Sequence, residues 1–179
     1  MRTLAIDPSS TAVGWALFAG SQLEAAGVLR PAHRADPPLC RIVALVDRVA
    51  SLVTERQPGR IVIEIPSGHA GRASKGGATG QLAIYGMAVG AIWIDTRSSA
   101  ACSVVGGCDV LTCTEAAWTR GRRKLQRAEL IRLEHPDLDW EADTGLDMAD
   151  AIGIGQWYLD TSPVAEAAAT VPRGKRRAR

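Results

Sequence analysis

The chain has 179 residues, 46% of them hydrophobic and 22% charged, with a formal net charge of +2 at neutral pH. This length holds one domain with a proper buried core, and the composition is that of a folded chain rather than a disordered one. No apolar run reaches the length of a membrane span, and no basic region followed by an apolar core opens the chain, so a cytoplasmic protein is expected.

The charge is unevenly spread. Arg173, Lys175, Arg176, Arg177 and Arg179 crowd the last eight residues, and without these five the rest carries a net −3. A second basic group, Arg120, Arg122, Arg123, Lys124 and Arg127, lies inside this mildly acidic body. Local basic clusters suit a polyanionic partner, although a terminal basic run is as readily a solvated surface. Cys40, Cys102, Cys108 and Cys113 show no paired C-x-x-C spacing and no neighbouring histidine set, which argues against zinc and for reduced thiols.

In chain order, Thr3 to Ile6 reads as a buried strand ended by Asp7. A Pro8-Ser9-Ser10 turn leads into a second apolar run, Val13 to Phe18, so the two form a hairpin with Asp7 at its tip. Ser21 to Leu29 supplies a third antiparallel strand, and the proline-rich stretch 30–38 is a loop. Leu39, Ile42, Val43, Val46, Val49, Ala50 and Val53 repeat at helical spacing, and Gln57-Pro58-Gly59 stops that helix. Arg60 to Ile65 is again a buried strand, carrying Glu64 near its end.

Pro66 to Gly80 is a Gly/Ser/Ala-rich loop that holds His69, Arg72 and Lys75. A helix from Thr79 to Asp95 follows, with Gly80, Gly86 and Gly90 along it. Each interior glycine costs a helix up to about 1 kcal/mol, so close packing against a strand, a helix or a partner subunit is expected there. Val110 to Thr114 is a short strand, Leu125 to Leu133 a helix ended by His135-Pro136, and Leu146 to Leu159 a last helix. Met148, Ala151, Ile152, Ile154 and Tyr158 are the expected buried side of that last helix. The order predicts an α/β fold, a mixed sheet covered by helices, without repeat or second domain. One domain over residues 1–160 and a flexible basic tail over 161–179 are expected.

Carboxylates stand out against this frame. Asp7 and Glu64 close two buried strands, the end of an α/β sheet where functional groups gather. Asp147 and Asp150 lie three apart on the last helix and share a face. Like charges on one face destabilise unless a cation bridges them, and oxygen ligands suit Mg²⁺ or Mn²⁺. Two such ions would activate a water and stabilise the leaving oxygen in phosphodiester cleavage. Each acid also has a plainer reading: Asp7 as a turn former, Asp147 and Asp150 as first-turn acids favoured by the helix dipole. Asp143, four residues before Asp147, competes for the place of fourth ligand.

Ile6-Asp7-Pro8-Ser9-Ser10-Thr11 with Gly14-Trp15-Ala16 resembles the I-D-P-G-S-x-x-x-G-[YW]-[AG] opening of RuvC-type Holliday junction resolvases. Ile63-Glu64 is similar to the second acid of that family, and Asp147-Met148-Ala149-Asp150-Ala151-Ile152-Gly153-Ile154-Gly155 to its closing D-x-x-D-A-[LI]-[AG]-[IV]-[AG] helix. The resemblance spans residues 1 to about 158, with the acids in order. It implies a ribonuclease H-like mixed sheet with helices on both faces, a homodimer, and cleavage of branched DNA with two Mg²⁺ ions, Mn²⁺ being able to substitute. It makes Asp7, Glu64, Asp147 and Asp150 the metal-binding catalytic set, and Lys124 similar to a basic residue near the scissile phosphate. His69, Arg72, Lys75, Arg120, Arg122, Arg123, Lys124 and Arg127 then become the residues that hold DNA phosphates.

Two departures qualify the resemblance. Ser9 replaces the glycine of the opening motif, which requires a backbone there without positive φ. No aromatic residue lies between Pro66 and Gln81, where several resolvases insert one into the junction. Looser selectivity among branched DNAs is therefore expected, as in the bacteriophage branch of the family. The same fold acting as a branched-DNA-binding protein without nuclease activity is the alternative. A sugar-kinase-like ATPase, whose phosphate loop the first hairpin also resembles, needs a second nucleotide-binding domain for which the length leaves no room.

Overall fold

The computed structural model describes residues 1–65, 78–98 and 108–162. His69, Arg72, Lys75, Cys102 and the basic tail beyond residue 162 lie outside the described residues. Strands β1 (Arg2–Pro8), β2 (Val13–Ala19) and β3 (Gln22–Leu29) precede helix α1 (Pro38–Arg56). After these come β4 (Arg60–Ile65), α2 (Ala78–Ser98), β5 (Asp109–Thr114), α3 (Glu115–Thr119), α4 (Lys124–Glu134) and α5 (Asp147–Thr161).

The strands form one five-stranded sheet in the order β3-β2-β1-β4-β5. β1, β2 and β3 make an antiparallel meander, whereas β4 pairs parallel with both β1 and β5. The mixed sheet follows from connection length. Short turns can only return the chain antiparallel, and the helical crossovers α1 and α2 let β4 and β5 run parallel.

Strand alternation gives the sheet two apolar faces. Leu4, Ile6, Val13, Leu17, Ile61 and Ile63 pack on one side with Leu45, Val49, Leu52 and Val53 of α1 and Ile92 of α2. Ala5, Ala16, Phe18 and Val62 pack on the other with Trp118, Ile131, Met148, Ala151, Ile152 and Ile154 from α3, α4 and α5. Helices thus cover both faces, as the resemblance implies.

Three local features differ from, or go beyond, what apolar spacing alone suggests. The buried stripe of α1 is Ile42, Leu45, Val49, Leu52 and Val53, whereas Leu39 and Val43 are 58% and 61% exposed. An apolar-rich helix offers overlapping stripes, and the sheet selects one. Apolar spacing does not announce α3, because five residues hold too few turns to show a period. In α2, a Cβ added at Gly86 or Gly90 would meet nothing within 4 Å among the described residues, so close packing against the strands and helices described does not account for them.

Two turns show why the chain reverses where it does. Gln57 ends α1 in the left-handed conformation at φ 46°, its N–H donating to the Val53 carbonyl at 2.9 Å. Ser9 has no positive φ. Its hydroxyl accepts the Ala12 N–H at 3.0 Å and the Thr11 N–H at 3.2 Å, and donates to the Ala12 carbonyl at 2.8 Å. A serine therefore closes this turn by side-chain bonding where the motif has a glycine.

Candidate active site

The parallel pairing of β1 with β4 runs from Thr3–Arg60 to Ile6–Ile63, so Asp7 and Glu64 stand one residue further along neighbouring strands. Alternation puts Asp7 on the side of Ala5 and Glu64 on the side of Val62, which is the face covered by α5. Both carboxylates thus close the C-terminal ends of two central strands beneath the start of one helix.

The start of α5 is fixed from two directions. Leu146 turns into it with a φ of 61°, and the fully buried Asp143 caps it. Asp143 Oδ1 accepts the Met148 N–H at 3.0 Å and Oδ2 the Ala149 N–H at 3.1 Å. With both oxygens on backbone amides, Asp143 is the capping acid, and Asp147 and Asp150 are the acids of this segment that reach a side-chain cation. From the sheet side, Gly14 lies opposite Asp7 in the β1–β2 pairing. A Cβ on Gly14 would overlap the Asp147 carbonyl group. The glycine is what lets the first turn of α5 lie directly on β2 beside Asp7.

Lys124, the first residue of α4, reaches into the acids. Its Nζ lies 2.8 Å from Asp150 Oδ2 and 3.7 Å from Asp147 Oδ1. Burial pushes the Asp7 carboxyl well above the usual range, and the neighbouring Glu64, Asp150 and Asp147 push it further, against the pull of Lys124. Glu64 is pushed up to about 7 by burial, with Glu115 and Asp150 adding to it and a hydrogen bond from Trp118 opposing it. Asp147 is raised by burial too, with Lys124 opposing. For Lys124 burial works downward, but its hydrogen bond to Asp150 and the surrounding acids win and raise it. These shifts describe a partly dry site with more negative charge than its one ammonium offsets.

The donor set suits a hard divalent cation, being all carboxylate oxygen. Among the described residues the Asp7 carboxylate has no hydrogen-bond or ion-pair partner, leaving its oxygens available to an ion. As placed, no three Asp, Glu, His or Cys side chains among the described residues converge closely enough to chelate one ion. An incoming ion would compete with the Lys124 ammonium for the Asp150 and Asp147 oxygens.

No protein-family model and no curated protein sequence matches the chain. Solved structures do. Thermus thermophilus RuvC in complex with a Holliday junction substrate superposes with a TM-score of 0.61 at 16% identity, over 88% of this chain and 92% of that one. A second Thermus thermophilus RuvC structure gives a TM-score of 0.57 at 19% identity, over 89% and 96% of the two chains. The chain has a RuvC-type fold.

Within this RuvC-type fold the expected phosphate-holding residues divide. Arg120, Arg122 and Arg123 are exposed on the turn between α3 and α4, where Arg120 and Gly121 both have positive φ, and Lys124, also exposed, opens α4. Arg127 is placed differently: it is 7% exposed, its Nη2 donates to Asp150 Oδ1 at 3.1 Å and its Nη1 to the Arg122 carbonyl at 2.6 Å. It grips a carboxylate instead of facing solvent, because α4 turns this position onto α5. Trp118 is buried in the core and donates its Nε1–H to Glu64 Oε2 at 2.6 Å. Two further groups near the acids went unsignalled. Tyr85 of α2 and Cys113, which pairs with Glu64 across β4–β5, are both raised by burial and by the charges of Glu64 and Asp7. Neither residue type nor spacing marks them in the sequence.

The Glu64 shift has a measurable sign. Folded, Glu64 holds its proton up to about 7, against 4.5 as its ordinary value, so the folded state binds more protons between these limits. Its contribution is therefore fully present below the lower value and lost as the pH rises through the upper one, by about 3 kcal/mol in all. In EDTA, the Tm of the wild type is expected to fall between pH 5 and pH 8 relative to that of Glu64→Gln. Thermal unfolding of both across that range checks it, and parallel curves would refute the assigned shift.

Proposed function

We propose that this protein is a divalent-metal-dependent, structure-specific DNA endonuclease that cleaves Holliday junctions and other branched DNA. The observation that carries this reading is that Asp7 of β1, Glu64 of β4 and Asp147 and Asp150 of α5 lie at one end of a RuvC-type sheet, with Lys124 on the two α5 acids. That one similar structure is a RuvC bound to a Holliday junction substrate supports branched DNA as the partner.

In this reading Asp7, Glu64, Asp147 and Asp150 would hold Mg²⁺ or Mn²⁺, two ions per site, supplying an activated water and charge stabilisation at the leaving oxygen. Asp143 keeps the α5 acids in place through the helix start. Lys124 stands ready for the scissile phosphate, and the exposed Arg120, Arg122 and Arg123 hold flanking phosphates beside it. His69, Arg72 and Lys75 would do the same from the segment after β4. Phosphate contacts of this kind give affinity that falls steeply with salt and carries no sequence preference. A homodimer is part of the reading, with α2 as its interface, since exposed Met87 and Ile94 flank glycines that nothing among the described residues covers. Sedimentation as a monomer at micromolar concentration would remove that element.

The test is a panel of synthetic four-way junctions, forks, flaps and plain duplexes, each with Mg²⁺, Mn²⁺ or EDTA. Nicking of branched substrates with either ion and none in EDTA is expected, with little cutting of the duplex. Tight junction binding in EDTA without cleavage in Mg²⁺ would instead establish a DNA-binding protein of the same fold.

A further inference from the structure

Behind the acids a second set of side chains connects β4 to α5. Trp118 Nε1 donates to Glu64 Oε2 at 2.6 Å. The Arg127 guanidinium lies over the Trp118 ring, 4.4 Å from its centroid. Arg127 Nη2 then donates to Asp150 Oδ1 at 3.1 Å, while Lys124 takes the other oxygen of Asp150. Both linking residues are buried, Trp118 at 6% and Arg127 at 7% exposure. The set runs from a strand acid to a helix acid through one aromatic ring and one guanidinium.

Each contact is more specific than packing requires. An indole carries a single N–H and accepts nothing, so where it points is a choice between partners. Here it points at a carboxylate on a neighbouring strand. A buried guanidinium is costly unless its donors are used. Two of the Arg127 nitrogens donate to Asp150 and the Arg122 carbonyl, its buried Nε has no hydrogen-bond partner among the described residues, and the Trp118 ring lies over the guanidinium. Glu64 has a long side chain with several rotors. Held at Oε2, it keeps Oε1 without a partner among the described residues and free to meet an ion. The same guanidinium ties the exposed basic turn, through the Arg122 carbonyl at 2.6 Å, to the acid it holds.

We propose that Trp118 and Arg127 are positioning residues that act as one unit, fixing the Glu64 and Asp150 carboxylates relative to each other and coupling the basic turn to them. This rests on the nuclease reading above, in which those two acids bind metal. Groups that orient metal-binding carboxylates commonly contribute 10–100-fold to affinity or activity.

The experiment measures Mn²⁺ binding by calorimetry on the DNA-free protein, and kcat and KM on a nicked-product junction assay, for wild type, Trp118→Phe, Arg127→Lys and the double variant. Trp118→Phe keeps the aromatic face and removes only the N–H. Arg127→Lys keeps the charge and removes the fork. Each single variant is expected to weaken Mn²⁺ binding and lower kcat about tenfold with KM unchanged. The double variant is expected to lose little more than either single one, because the two serve one function. Wild-type Mn²⁺ affinity and kcat in both single variants would overturn the proposal, as would fully multiplicative losses in the double variant. Should Trp118→Phe fail to fold, Arg127→Lys decides alone. A wild type that binds no Mn²⁺ would overturn the metal-site reading itself, whereas binding that the variants match overturns only the positioning role.

Discussion

Asp7→Asn is expected to leave a folded protein that binds a four-way junction and does not cut it. The substitution conserves shape and the strand pairing of β1 with β2 and β4, because only a carboxylate oxygen becomes an amide nitrogen. What it removes is a charge that burial and the three neighbouring acids already disfavour. The metal-free fold should therefore become more stable above neutral pH, not less, since a raised carboxyl loses its stabilising proton as the pH climbs. Cleavage should fall by at least about a thousandfold, equivalent to about 4 kcal/mol of transition-state stabilisation. Measuring nicking with Mg²⁺, junction affinity in EDTA and Tm on one preparation separates the effects. Full nicking by the variant would remove Asp7 from the metal set; loss of folding would remove the claim that its charge is a functional cost to the fold.

Gly14→Ala is expected to be the most damaging single-methyl change in the described chain. Gly14 sits opposite Asp7, and its Cα faces the first turn of α5 so closely that a Cβ would overlap the Asp147 carbonyl. Both sides of the contact are backbone, so no rotamer change relieves it. Either β2 must retreat or α5 must lift, and the helix start is already fixed by Asp143 on Met148 and Ala149. Overpacking against backbone costs about 3 kcal/mol or somewhat more. A shift of about 1 Å in Asp147 and Asp150 relative to Asp7 and Glu64 is enough to cost roughly a hundredfold in rate. Denaturant unfolding should show the stability loss, and single-turnover nicking, measured where the variant is fully folded, the rate loss. Unchanged nicking by folded Gly14→Ala would mean that the α5 acids need not lie against β2.

The sequence by itself determined the five strands, the longer helices and the acids at their ends. Two apolar runs closed by Asp7 and Glu64 carry their own strand signal, and the three-residue spacing of Asp147 and Asp150 already puts them on one helix face. Such patterns are local, so they survive without knowledge of packing. The tertiary structure decided which groups meet across the chain. Asp143 and Asp147 are indistinguishable as sequence, yet only one caps the helix, because a capping role depends on how the loop before α5 folds back. Arg127 reads as one more cation in a basic run, until α4 turns it inward onto Asp150, 23 residues away. Trp118 reads as core, until its single N–H finds Glu64, 54 residues away. No periodicity encodes a partner at those separations. Which side chains converge is set by how helices on one face of the sheet pack over the ends of its strands.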